Sequence, residues 1–241
     1  MYNEIENLNT ERQNIATGTI AKTFIANVFS WMTLALTITG IVAYLFGTNE
    51  EYTSLIITPT GFTGLGYFAM FAPIGFVLIM SFAFNKLSST ALLGLFLAYS
   101  FVMGMSMSTI FLAYKAASIY MTFGITAGTF GFMAVLGYTT KTDLTKFGSI
   151  MIMGLWGIML ASIVNIFAGS SAMATLISIV GVLVFTGLTA YDVQKLKRIG
   201  SGVEYGTEAS SKLAMMGALN LYLDFINLFI MLLRLFGDRR N

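Results

Sequence analysis

Two acidic side chains stand where an acid is costly, and they are the residues of this chain best suited to chemistry. Asp224 lies at the centre of the apolar run Leu213–Phe236 (LAMMGALNLYLDFINLFIMLLRLF). Asp192 closes the apolar run before it, in Thr189-Ala-Tyr-Asp-Val-Gln-Lys-Leu-Lys-Arg198. A stretch of ~20 apolar residues is enough to cross a bilayer. A carboxylate at its centre costs at least ~2.5–3.5 kcal/mol on insertion scales, so it must be solvated, paired or protonated. Asn220, Asp224 and Asn227 follow i, i+4, i+7 spacing and share one helix face, with Gly217 and Arg234 on the same stripe. That wall must face protein or a water-filled cavity, and the chemistry it offers is the handling of protons or cations. Taken singly, Asp192 also reads as an interfacial acid paired with Lys195 or solvated. Asp224 also reads as part of a structural network through its two asparagines.

If the two aspartates meet, they do not both ionise readily in a low dielectric. A shared proton would then couple pH to the contact between two helices, a switch made without histidine. Asp224 lies ~16 Å along its helix from Leu213 at ~1.5 Å per residue. If the sixth helix continues through Lys197, Asp192 lies one to two turns inside its end. Contact then requires the seventh helix to begin later than Leu213, or water to enter from inside. Lys86, at the inner end of the second segment, is a cation that could compete for one carboxylate as a latch; it also reads as a simple topology charge.

The elements that position these groups follow from composition. Of 241 residues, 56% are hydrophobic and only 10% charged, against about 25% in an ordinary soluble domain. The fold class expected is an all-α integral membrane protein, because a β-barrel would show ~10-residue alternating strands. With no cysteine and no histidine, thiolate chemistry is excluded and the commonest metal ligand is missing. No motif pairs a nucleophile with a base, so an enzyme is not expected. Neither a cofactor nor a resident metal is expected, and the formal charge of +2 gives no signal for nucleic acid.

Residues 1–23 read as a polar cytoplasmic tail with an amphipathic lead-in around Ile15–Phe24, without the features of a signal peptide. Residues 24–236 form the membrane domain and 237–241 a C-terminal tail. Seven segments are expected near Phe24–Phe46, Tyr67–Phe84, Thr90–Leu112, Ser118–Tyr138, Phe147–Ala168, Ala172–Tyr191 and Leu213–Phe236. Two connections are long, Gly47–Gly66 and Val193–Lys212. With the N-terminus in the cytoplasm, all but Lys115, Arg234, Arg239 and Arg240 of the 13 basic residues fall inside. A re-entrant last segment would improve that tally further, but Leu213–Phe236 lacks the glycine or proline a tight re-entrant turn wants. Gly124, Gly128 and Gly131 share a helix face and predict close packing on a neighbouring helix. Met103–Ser108 and Asn165 are expected to make interhelical hydrogen bonds.

Thr189-Ala-Tyr-Asp192-Val-Gln-Lys-Leu-Lys and Ala218-Leu-Asn-Leu-Tyr-Leu-Asp224-Phe-Ile-Asn-Leu-Phe resemble the transmembrane Bax inhibitor motif family, the Bax inhibitor-1/YccA-like proteins, in its bacterial branch. The resemblance implies a seven-helix fold whose last helix is enclosed by the other six. It implies a pH-sensitive calcium leak governed by an aspartate pair that maps onto Asp192 and Asp224, with calcium as the permeant ion. Some members carry a second-helix arginine that engages the pair; here Phe84-Asn-Lys-Leu-Ser88 offers lysine instead. Bacterial relatives are associated with a membrane-bound AAA protease, and the branch suggests a bacterial inner membrane. The expected function is therefore a cation leak gated by Asp192 and Asp224, with Asn220 and Asn227 lining its path. The alternative is a non-conducting regulator that binds or inhibits such a protease.

Overall fold

The computed structural model describes residues 2–204 and 206–240, with side-chain environments from Ile20 onward. Nearly all of it is helix. In chain order come α1 (Tyr2–Thr48), α2 (Glu50–Ile56), a two-stranded hairpin β1 (Ile57–Thr58) and β2 (Gly61–Phe62), and α3 (Gly64–Phe82). Then follow α4 (Ser89–Met107), α5 (Thr109–Ala113), α6 (Ala116–Thr139), α7 (Thr145–Ala168), α8 (Ser171–Gly202) and α9 (Glu208–Phe236). Seven stretches are long and apolar enough to cross a membrane, and they coincide with the seven expected segments.

The ends differ from the sequence reading, for physical reasons. The segment read as a polar tail is helical from Tyr2 and runs unbroken into the first span. The part of the amphipathic lead-in before Ile20 lies outside the described side chains. Gly47–Gly66 is not plain loop but carries α2, capped by the Asn49 side chain, and the hairpin. The connection read as Val193–Lys212 shrinks to residues 203–207. Hydropathy falls after Tyr191 because α8 becomes amphipathic, not because it ends: Val193 and Leu196 stay buried while Lys195 and Arg198 are exposed. Thr207 caps α9 by accepting from the Ser210 amide at 3.2 Å.

α9 is the most buried of the long helices. It packs against α1, α4, α6 and α8, whereas α3 lies on α4 and α7 lies on α8. α9 therefore packs mainly on four helices, and the expected enclosure by six is not what the contacts describe. The face of α9 carrying Met216, Asn220 and Leu223 is only partly covered, and Asn220 is exposed. The re-entrant alternative fails, because α9 is one unbroken helix of 29 residues. The residues after it pair with the α5–α6 connection: the Lys115 amide donates to Asp238 O (2.9 Å) and the Arg240 amide to Ala113 O (3.0 Å).

The glycine stripe on α6 is a second correction. A Cβ added at Gly124, Gly128 or Gly131 would meet nothing within 4 Å. These glycines face open space, not a neighbouring helix. Close approach is made by Gly137 instead, where a Cβ would overlap the Ala190 carbonyl of α8. Asn165 and the hydroxyls of Ser108 and Thr109 also bond locally. Asn165 Oδ1 accepts from the Ser170 amide (3.1 Å) and Ser108 Oγ donates to Met105 O (2.7 Å).

Candidate functional site

α8 and α9 are the neighbours that carry the two aspartates, and their seam brings the carboxylates together. On one side of the pair, Gly217 of α9 admits Leu196 of α8, whose Cδ2 would lie 2.5 Å from an added Cβ. On the other, Gly181 of α8 admits Met231 of α9, whose Cγ would lie 2.8 Å away. Between these two close approaches, the side chains of Asp192 and Asp224 lie within hydrogen-bonding reach of each other. The later helix start expected as one way to this contact does not occur: α9 starts before Leu213, at Glu208. What lets the pair meet is the continuation of α8 to Gly202, which sinks Asp192 ten residues from the end of its helix.

The environments of the two carboxylates are unequal. Asp224 is 6% exposed, and its Oδ2 has no hydrogen-bond partner. Asp192 is partly exposed, and Lys195, three residues on along α8, is the cation acting on it. Lys86 is exposed in the α3–α4 turn and, among the described residues, forms no ion pair; nothing places it as a latch. A bond between two carboxyls needs a proton on one of them, since an ionised carboxylate only accepts. Asp224 Oδ2 stands unpaired near Asp192, in an interior where an orphan oxygen is costly.

The asparagines part company. Asn220 is exposed on α9. Asn227 is partly buried, donates through Nδ2 to Leu223 O at 2.9 Å, and lines a cavity of about 640 Å³. Ser162, Asn165, Ser178, Arg234 and Arg239 also line this cavity, which lies toward the C-terminal end of α9. A polar space thus reaches to within one turn of Asp224. Among the described residues, no group of three or more acidic, histidine or cysteine side chains is gathered to hold a metal ion.

Two features of the site escape a reading of the sequence. Beside Asp224, Tyr222 is fully buried, and its hydroxyl meets Thr39 Oγ1 at 2.7 Å. Thr39 Oγ1 donates to Ser100 O at 2.8 Å, so the tyrosine is the donor in the first bond. This network ties α9 to α1 and α4 on the side away from α8. Only the place of Tyr222, two residues before Asp224, hints at it. The polar run after Asp192 is the second feature. Gln194 accepts from the Leu144 amide and donates to Thr142 O, both at 2.8 Å. Lys197 donates to Tyr138 O at 2.8 Å, and Arg198 pairs with Asp143 at 3.3 Å. The end of α8 is therefore clamped to the α6–α7 connection.

The family described as "Inhibitor of apoptosis-promoting Bax1" matches residues 21–241. A protein of Borreliella burgdorferi is 47% identical over 97% of this chain and 98% of its own length. The inner membrane protein YbhL of Escherichia coli K12 is 45% identical over 91% of this chain and 93% of its own. A Rickettsia prowazekii protein is 37% identical over the full length of both. With the match covering both aspartate segments, this chain belongs to the Bax inhibitor-1 family.

Proposed function

We propose that this protein is a pH-sensitive cation leak pathway, with calcium as a permeant ion, gated by Asp192 and Asp224. One observation carries the reading: a carboxylate pair in contact at the α8–α9 seam, with Asp224 Oδ2 unpartnered and a polar cavity ending one turn away at Asn227. Buried acids inside a membrane bundle mark ion or proton paths. While one proton is shared, the pair holds α8 against α9. Full ionisation sets two like charges in contact, and the seam separates. Asp224 then joins the cavity lined by Asn227, and oxygen ligands of this kind suit Ca²⁺ and other hard cations. The close approaches at Gly217 and Gly181 make the seam a packed interface with discrete arrangements rather than a soft one. The N-terminus lies in the cytoplasm in this reading, and the membrane is the bacterial inner membrane, where the relative YbhL is named.

The test is Ca²⁺ flux into proteoliposomes across pH 5–8, for the unaltered chain, Asp192→Asn and Asp224→Asn. The reading requires a pH-dependent flux whose pH dependence is lost in both variants. A folded protein that conducts no more than empty vesicles at any pH overturns it. The protein would then be read as a regulator of a membrane-bound AAA protease, acting through its exposed segments.

A further inference from the structure

α1 and α6 stand side by side without interlocking, and the space between them is organised. At the end nearest the α6–α7 connection, a pocket of about 570 Å³ is lined by Lys22, Lys141, Lys197 and Arg198, with Asp143 as its one acid. Arg198 is committed to Asp143, and Lys197 to the Tyr138 carbonyl and ring face. Lys22 and Lys141 are exposed and, among the described residues, have no ion-pair partner. The pocket therefore holds two unspent cations on a rigid frame.

This basic pocket opens into an apolar groove. Lys22 and Tyr138 belong both to it and to a 430 Å³ groove floored by Phe29, Gly131 and Val135. Phe29 and Gly131 in turn belong to that groove and to a further space of about 570 Å³ that runs along Met32 and Gly40. Missing side chains make the room: neither Gly131 nor Gly40 has anything within 4 Å of where a Cβ would stand. One leaflet is half of the ~30 Å hydrocarbon core. At ~1.5 Å per residue, that depth takes about ten residues of α1, from Lys22 to Met32. A basic mouth with an apolar trough at least one leaflet deep matches an amphiphile carrying a negative head.

We propose that this α1–α6 groove is a binding site for one anionic phospholipid, its phosphate between Lys22 and Lys141 and one acyl chain laid over Gly131. Basic pockets between spanning helices hold acidic headgroups in this way. The occupant is drawn from the leaflet on the side of the α6–α7 connection. The groove runs past Val193 and Phe225, each next to one of the two aspartates, so the lipid packs behind the seam without touching the carboxylates. The site stands whether or not the protein conducts.

The experiment measures binding of phosphatidylglycerol and phosphatidylcholine with identical chains to the detergent-purified full chain, by native mass spectrometry and by shift in Tm. Phosphatidylglycerol is expected to bind more tightly and to raise Tm more. Each interfacial cation contributes about a factor of five in affinity. Lys22→Gln with Lys141→Gln should therefore cut phosphatidylglycerol binding about 25-fold. Gly131→Leu, which fills the trough and leaves every charge in place, should cut binding of both lipids. Lys115→Gln, at the other end of the bundle, should leave binding of both lipids unchanged. Equal binding of the two lipids, or headgroup selection that survives Lys22→Gln with Lys141→Gln, overturns the proposal. So does undiminished lipid binding in Gly131→Leu. Competition by inorganic phosphate as effective as by the lipid also overturns it, since the site would then take a soluble anion.

Discussion

Removing the Thr39 hydroxyl should cost more than removing the Tyr222 hydroxyl that meets it, and the difference follows from who donates. In Tyr222→Phe, Thr39 still donates to Ser100 O, and only one lone pair loses a partner. The expected loss is about 0.5–1.5 kcal/mol, that of an ordinary hydrogen bond. In Thr39→Val, the tyrosine O–H is left without an acceptor. The ring cannot swing elsewhere, because it is fully buried and held edge-on between Phe96 (5.9 Å) and Tyr99 (5.4 Å). An orphaned buried donor costs about 1–3 kcal/mol. Combining the two substitutions removes the orphan, so the double variant should be more stable than Thr39→Val plus Tyr222→Phe would predict. Interhelical bonds in membranes couple by about 0.6 kcal/mol on average and ~1.7 at most. The immobile ring places this pair toward the upper figure. Equilibrium unfolding in mixed micelles of the four proteins measures the cycle. Equal losses in the two single variants, or strict additivity in the double, would refute the reasoning that α9 is pinned to α1 by a directed bond.

Other outcomes follow from the same contacts. Gly137→Ala should be strongly destabilising, beyond the ~1–3 kcal/mol of ordinary overpacking, because the obstacle is the α8 backbone at Ala190; Gly131→Ala should be close to neutral, and thermal unfolding compares them. Asp143 sits outside the spans, where hydrogen bonds from the Thr145 hydroxyl and amide, with Arg198 adding, hold its carboxyl below the ordinary carboxylate range. A lowered carboxyl contributes fully above its unfolded value and is lost only as pH falls through the lowered one. Asp143 is therefore charged throughout pH 5–8, and Asp143→Asn should leave the pH midpoint of flux unchanged. Asn227→Leu, which closes the inner end of the 640 Å³ cavity, should lower flux at every pH without moving that midpoint.

The seven spans and the two aspartates were legible because a bilayer demands long apolar runs and makes an acid within one conspicuous. Helix ends were harder. Tyr191 ends the hydropathy of the sixth segment but not its helix, since one face of Val193–Gly202 remains packed while the other meets water. That continuation is what puts Asp192 deep enough to meet Asp224. Gly124, Gly128 and Gly131 show in sequence that one face of α6 is bare, but not what lies opposite: open space at all three, and at Gly131 the groove beside α1. Asn220 and Asn227 share a stripe by spacing, yet incomplete cover on one side of α9 exposes the first, and the cavity takes the second. The Tyr222–Thr39 bond joins residues 183 positions apart, which no local pattern announces.

In the proposed function, one proton shared by Asp192 and Asp224 holds α8 against α9. Infrared difference spectroscopy of the protein in liposomes, titrated across pH 5–8, tests it most directly. A shared proton gives a protonated-carboxyl band that fades over the same pH interval in which Ca²⁺ flux changes. Asp224→Asn should remove that band, and Asp192→Asn should shift it by taking away the carboxylate partner. A band untouched by Asp192→Asn, or no protonated carboxyl at the pH where the pathway is closed, would rule out the shared proton.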